Sequence, residues 1–349
     1  TQHDVYESGF EWLNHSMSPV HVPTHDFRVM IGDTRQGGER LNHCTQPYSA
    51  SVFNISAMSY GSLSARAVEA MNRGAKLAPC LHNTGEGSVS KHHKHGGQLI
   101  WQIGTGYFGC RTENGRFDEK RFVDVVEANE IKAIEIKLSQ GAKPGLGGML
   151  PAAKITAEIA EIRGIPMGVD CASPSSHCEF NDVDSMLDFV ERLADISGLP
   201  IGIKSAVGEM QFWRDLANDM ATSDRGVDFI TVDGGEGGTG AAPLEFSDSL
   251  GAPLVEGLML VQNVLVGAGI RDRMKIGASG KMVTASAIAQ SIALGADWCN
   301  SARAFMMSVG CIQSQRCHTN QCPVGVATQN EKLQRALVVP DKATRVHQF

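Results

Sequence analysis

From Ser51 onward the chain alternates short β-rich runs with amphipathic stretches, and this repetition constrains its fold more than any other feature. The runs are Val52–Met58, Leu99–Ile103, Ala133–Leu138, Met167–Cys171, Pro200–Lys204, Phe229–Val232, Met274–Ala278 and Trp298–Ser301. Between several of them lie Ser62–Leu77, Ala152–Ile162, Val183–Ile196 and Ala285–Leu294, each with helical periodicity. Repeated β-then-α units imply a parallel sheet. Eight strands in about 250 residues match an α/β fold of the closed (β/α)8 TIM-barrel type. An open doubly wound sheet would carry G-x-G-x-x-G after its first strand. The turn here is Ser59-Tyr60-Gly61-Ser62-Leu63-Ser64. A barrel over residues 51–310 is therefore expected. Residues 1–50, with prolines at 19, 23 and 47, read as an irregular N-terminal extension packed on it.

Barrels of this type do chemistry at the C-terminal ends of their strands. The residues expected there are Ala57-Met58-Ser59, Gln102, Lys137, Asp170, Lys204, Asp233-Gly234-Gly235, Ser279-Gly280 and Ser301-Ala302-Arg303. The run from Asp233 to Gly240 holds five glycines and Thr239. Such a loop can aim backbone N–H groups at an anion, or let a flat ring lie against the main chain. It can also be a plain surface turn. Ser279-Gly280 and Ser301-Ala302 stand where a barrel grips phosphate, although serine is equally a helix cap. Together they point to a phosphorylated ligand.

Lys137 sits in an otherwise apolar run, where an unpaired charge is costly, and Lys204 repeats the pattern. Each can hold a carboxylate or an electron-rich ring, or pair with a core acid such as Asp170 or Asp233. Gln140 and Lys143 follow Lys137 in one loop. Glu86, in Asn83-Thr-Gly-Glu-Gly87, can hold an amine or close a turn. Lys91-His-His-Lys-His95 reads as a solvated face or an adventitious metal site. The sequence shows neither a nucleophile elbow nor a P-loop.

Nine cysteines in no regular framework suit a reducing compartment. Three of them, Cys311, Cys317 and Cys322, fall within twelve residues, and Pro323 follows the last. Thiolates hold iron–sulfur clusters, with Cys-Pro a frequent closing ligand. Three thiols without a fourth suggest a three-iron cluster or one with an open iron. A Cys₃His zinc site using His318 is the rival, and three reduced loop thiols the plain alternative. The formal net charge of −7 argues against nucleic acid as partner. No run of 18 apolar residues and no signal peptide is seen, so a cytoplasmic location is expected. The chain begins at Thr1, so an upstream anchor stays possible in this reading.

Several motifs in one order resemble the FMN-binding synthase domain of glutamate synthase and its stand-alone relatives. They are Ile55-Ser-Ala-Met-Ser59, Asn83-Thr-Gly-Glu-Gly87, Gly104-Thr-Gly-Tyr-Phe-Gly109, Gln140-Gly-Ala-Lys-Pro-Gly145, Gly235-Glu-Gly-Gly-Thr-Gly240 and Cys311–Gln329. The resemblance spans about Ser51 to Gln329. It implies a (β/α)8 barrel with FMN and a [3Fe-4S] cluster on Cys311, Cys317 and Cys322, making residues 311–349 a cluster loop and tail. It sets the flavin against Ala57, Met58, Ser59, Gln102 and Lys204. The flavin phosphate would lie near Gly238, Thr239, Gly240, Gly280 and Ala302, with Asp233, Gly235, Ser279 and Ser301 as neighbours. Lys137, Gln140, Lys143 and Glu86 would face the substrate. In the family, electrons pass from cluster to FMN and leave as hydride to the imine of 2-oxoglutarate and ammonia.

Three departures stand against that pattern. Leu146-Gly-Gly-Met149 replaces the family's Glu-Gly-Gly-Gln, whose glutamine contacts 2-oxoglutarate. Ala278-Ser-Gly280 replaces an expected Asp-Gly-Gly. No amidotransferase domain with an N-terminal nucleophilic cysteine is present in this sequence. The expected activity is reductive amination of a 2-oxo acid with ammonia or an amine, an N-alkyl amino acid synthase being the variant. Electrons would come from ferredoxin or an NAD(P)H-oxidising partner subunit, nitrogen from solution or a glutaminase partner, and a homo- or hetero-oligomer is expected. An electron-relay subunit and a zinc-stabilised binding barrel are the other readings.

Overall fold

Eight parallel strands close into a barrel in the computed structural model, which describes residues 12–22, 26–33, 35–36, 39–40 and 44–349. The strands are β1 Phe53–Ile55, β2 His82–Asn83, β3 Leu99–Ile103, β4 Ile131–Lys137, β5 Ile201–Ser205, β6 Phe229–Asp233, β7 Lys275–Ser279 and β8 Trp298–Ser301. Each pairs in parallel with the next, and β8 closes on β1 through Asn300 opposite Asn54. Strands covered on both faces are continuously apolar. Accordingly, every residue of β3, β5 and β6 is buried. Gly202 permits this closeness, since a Cβ there would strike the Phe229 ring.

The sequence expectation is met in seven of the eight strands and corrected in one. Met167–Cys171 is not a barrel strand. Met167 and Val169 are exposed, and only Cys171–Ala172 pairs, antiparallel, with Met149–Leu150. Asp170 is thereby removed from the strand ends and accepts a hydrogen bond from the Ala152 N–H at 2.7 Å. The missing strand is β2, two residues long and polar, which period-two reasoning cannot detect.

Helices begin where side-chain caps stand. Ser64 accepts from the Ala67 N–H at 3.2 Å, so the first helix covers Ala65–Leu77 rather than starting at Ser62. Thr156 caps Ala157–Arg163, splitting the expected Ala152–Ile162 helix into a short 3₁₀ turn and a helix. Val183–Ser197 and Ala285–Ala293 form close to the expected bounds. No helix joins β2 to β3. That link is a 3₁₀ turn, Lys91–His93, in which Lys91 and the following Lys94 are exposed as expected of a solvated face while the histidines turn inward. His93 is buried, and His92 packs its ring on Tyr60 at 4.7 Å.

The N-terminal floor of the barrel is closed by Arg28–Ile31 paired with Tyr48–Ser51. Ile31 and Ala50 cluster there with Leu81, Ile100, Phe229 and Trp298. At the other end of the chain, Val339–Gln348 packs along Ala65–Leu77, where Gly74 leaves room for Val346. Among the described residues no helix is long and apolar enough to cross a membrane.

Candidate functional site

The strand β4, Ile-Lys-Ala-Ile-Glu-Ile-Lys, ends on Lys137, and two residues earlier carries Glu135. Side chains two apart share a face, so both point into the barrel. Lys137 Nζ lies 3.4 Å from Glu86 Oε2 and donates to Gln140 Oε1 at 3.2 Å. Glu86 stands on the turn after β2. Burial alone would raise its carboxyl, but Lys137, Arg163 and Lys143 outweigh this and hold it below the usual range. Lys143, in the loop after β4, is pushed down by burial and by Lys137, with Glu86 opposing. Its Nζ donates to the Gly147 carbonyl at 2.5 Å. Glu86, Lys137, Gln140 and Lys143 are thus brought together at one strand end. Gly148 backs this group, since a Cβ there would collide with the Glu86 carboxylate.

A second polar layer includes Lys204, whose Nζ is 3.4 Å from Asp233 Oδ2. Asp233 Oδ2 also accepts from the Gly141 N–H at 2.9 Å, tying the β4 loop to the β6 end. Burial disfavours the Lys204 charge, yet Asp233 and Glu135 more than restore it and raise its pKa. The core-acid pairing weighed for Lys204 is therefore formed, whereas Lys137 pairs with Glu86 and not with Asp170. Gln102, buried on β3, donates from Nε2 to Glu135 Oε1 at 2.7 Å.

Ala57, Met58 and Ser59 follow β1 and pass beside Gly85, where a Cβ would meet the Ser59 nitrogen at 2.6 Å. The glycine loop packs on the β4 loop. Within it Gly235 N–H donates to Ala252 at 2.9 Å, and Thr239 Oγ1 accepts from the Ala241 N–H at 3.4 Å. Gly238 faces Arg303 and Gly240 faces His318, so added Cβ atoms would lie 2.5 Å from the guanidinium and 2.7 Å from the imidazole. Gly280 borders the Glu236 carboxylate. Ser279 and Ser301 are buried, and the Ser301 hydroxyl is spent on the Met282 carbonyl at 2.6 Å. Ala302 precedes the helix Arg303–Ser308 without a side-chain cap.

Three neighbours of the candidate site were not singled out from the sequence. His177 donates from Nε2 to the Lys137 carbonyl at 2.9 Å and accepts from the Tyr107 hydroxyl at 2.8 Å. The carbonyl can only accept, which assigns this tautomer. Arg163 Nη2 donates to the Tyr60 carbonyl at 3.1 Å, beneath the Ser59 loop. Glu135 was legible as the one acid in an apolar strand. His177 and Arg163 carried no local signal.

The cysteine loop lies against the β1 loop. Lys154 Nζ donates to the carbonyls of Ser62 at 2.5 Å and Cys317 at 2.8 Å, and Gln329 Nε2 donates to Gly61 and Leu63, both at 2.9 Å. Burial pushes the Cys317 thiol up, with Cys311 and Cys322 adding to the shift, so the three sulfurs are within electrostatic reach. Among the described residues, however, no three His, Cys, Asp or Glu side chains are gathered closely enough to hold a metal ion. Elsewhere a cavity of about 610 Å³ lies between the loop after β3 and Ile165–Pro174, lined in part by Arg111, Arg116 and Cys171. None of the expected flavin-side residues lines it.

A family model for the conserved region in glutamate synthase matches residues 18–349. The chain belongs to the glutamate synthase family. Its relatives include the glutamate synthase large subunit-like protein YerD of Bacillus subtilis, 44% identical over 93% of this chain and 62% of that protein. The archaeal-type glutamate synthase [NADPH] of Thermotoga maritima is 34% identical over 81% of this chain and 53% of its own length. The archaeal glutamate synthase [NADPH] of Methanocaldococcus jannaschii is 34% identical over 84% and 54%. The chain therefore spans about half to three-fifths of these glutamate synthase relatives.

Proposed function

We propose that this chain binds FMN at the strand ends and carries out reductive amination of a 2-oxo acid there. The observation that carries the reading is the convergence of Glu86, Lys137, Gln140 and Lys143 beside the Ala57–Ser59 loop, with Gln102 and Lys204 in the adjoining layer. The residues fit a flavin nucleotide. Glycines at 238, 240 and 280 let the side chains of Arg303, His318 and Glu236 come close to the main chain, Arg303 offers a cation beside Gly238, and Lys204 is a buried charge suited to an electron-rich ring. When bound, FMN supplies a two-electron redox centre at the mouth of the barrel.

The protein's own part is electrostatic. Lys137 and Lys143 are buried ammonium groups that would hold carboxylates of an acidic substrate, and their hydrogen bonds to Gln140 and Gly147 keep them aimed. Glu86, ionised and facing Lys137, is the group suited to bind an ammonium nitrogen or to hold a proton for it. His177 fixes the Lys137 main chain. The walls of β2, β3 and β4 exclude water, which strengthens each of these interactions.

A second reading, an amine in place of ammonia, is favoured by Met149. It is 45% exposed and directly follows Gly148, the residue that backs Glu86, at the position where the family pattern has a glutamine. A [3Fe-4S] cluster on Cys311, Cys317 and Cys322 is proposed on donor chemistry: three free thiols share one loop, and the Gln313 N–H lies 3.4 Å from Cys311 Sγ. The loop as it stands is not a closed ligand set, so cluster insertion would draw the thiols together. An electron donor, either ferredoxin or an NAD(P)H-oxidising partner, belongs to the same proposal, as does a glutaminase partner.

The test is a visible spectrum of anaerobically purified protein with flavin and iron quantified, followed by reoxidation of the reduced flavin by 2-oxo acids with ammonia or methylamine. One FMN per chain and reoxidation by one such pair is the expected result. A flavin that no pair reoxidises would leave an electron relay. A colourless protein would overturn the reading.

A further inference from the structure

Glu135 is fully buried inside the barrel and, beyond supporting the Lys204 charge, has no part in the proposed binding of substrate. Its carboxylate is saturated by three side-chain donors from three other strands. Oε1 accepts from Asn83 Nδ2 on β2 at 2.8 Å and from Gln102 Nε2 on β3 at 2.7 Å, and Oε2 accepts from Thr231 Oγ1 on β6 at 2.8 Å. A carboxylate only accepts, so each amide facing it must present nitrogen. The Gln102 oxygen is consequently turned away from Glu135. The Asn83 oxygen is turned toward the Gly85 N–H, which it receives at 3.0 Å, bracing the turn that carries Glu86.

We propose that Glu135 is a positioning residue that fixes the amide orientation of Gln102 and Asn83, and through them the acceptor offered to the flavin and the turn bearing Glu86. The inference rests on the FMN reading and deepens it. Glu135 does not touch substrate; it acts through the two amides. The charged groups facing this layer are Lys204 and Asp233 from β5 and β6, with Lys137 and Glu86 above. Buried polar networks satisfied in this way specify one arrangement, and removing the Oε1 oxygen that receives both amides leaves each of them free to turn.

The experiment is a titration of flavin-stripped full-length protein with FMN, read by flavin fluorescence, in a double-mutant cycle. Wild type must bind FMN first; failure there overturns the flavin reading rather than this one. Glu135→Ala is expected to weaken binding at least tenfold with the barrel still folded by circular dichroism, whereas Glu135→Gln, which keeps one oxygen for both amides and can donate to the Thr231 hydroxyl, should bind FMN close to wild type. Gln102→Ala weakens it similarly, and the double variant binds no more weakly than Gln102→Ala alone. Additive losses, or wild-type affinity in Glu135→Ala, would overturn the proposal. Gln102→Glu keeps the test open should Glu135→Ala fail to fold. Two facing carboxylates share a proton, so a protonated side chain at 102 can donate to Glu135 as the amide does. FMN binding of that variant should tighten at least tenfold from pH 8 to pH 5.5, while wild type stays within twofold. A flat profile would count against Glu135.

Discussion

His177 donates its Nε2 proton to the main-chain oxygen of Lys137 at 2.9 Å, so the residue that ends β4 is held from outside its own sheet. The imidazole is neutral because burial pushes its pKa down to about 4. Unfolded histidine takes a proton near pH 6.5. As pH falls from about 6.5 towards about 4, the unfolded chain binds a proton that the native ring refuses. Stability conferred by the neutral ring is complete above that window and is lost within it. The loss amounts to about 3 kcal/mol from the shift at 1.36 kcal/mol per unit. Urea midpoints should fall between pH 7 and pH 5, and His177→Gln should flatten part of that slope. An unchanged slope would show that the ring is not linked to folding.

Lys137→Met should lower kcat/KM for the 2-oxo acid by roughly 10- to 150-fold, the value of a hydrogen bond to a charged group. FMN content should stay at the wild-type level, because Lys137 faces Glu86 rather than the Gln102–Lys204 layer. Steady-state rates and acid-released flavin on the same preparation check this.

Glu86→Gln leaves Lys137, Lys143 and Arg163 without their shared anion. Removing one partner of a buried ion pair costs about 3–5 kcal/mol, and the partial exposure of both side chains sets the expectation at the lower end. Chemical denaturation should show a reduced midpoint with an unchanged slope. A midpoint equal to wild type would mean that the cations find water instead.

Cys317→Ser should lose iron while flavin is retained, measured as iron and FMN per chain after anaerobic purification. Iron at the wild-type level would remove Cys317 from the proposed ligand set.

The barrel was legible because buried parallel strands are runs of Ile, Val and Phe bounded by Gly, Ser or Asp, as in Phe229–Asp233. His82–Asn83 was not, because two polar residues give no period and owe their pairing to neighbours. Met167–Cys171 misled for the converse reason: its Met-Gly-Val pattern alternates, but the chain there runs outside the barrel and leaves Met167 in solvent. At the site, Lys137 and Lys204 announced themselves as charges in apolar strands. Glu86 gave a weaker signal, since a turn acid is common, and its value comes from Lys137 being 3.4 Å away. Arg163 reaches Tyr60 across 103 positions of sequence, a relation that no local pattern encodes.

The bonds from Gln329 to Gly61 and Leu63 join residues 268 and 266 positions apart. Such long closures come late, since their entropy must be paid before the contact rewards it. The segment bearing Cys311, Cys317 and Cys322 can therefore be seated only after the first and last thirds of the chain have met. If the proposed cluster is inserted, a metal delivered to those thiols earlier would meet an unanchored peptide, so barrel closure would have to come first.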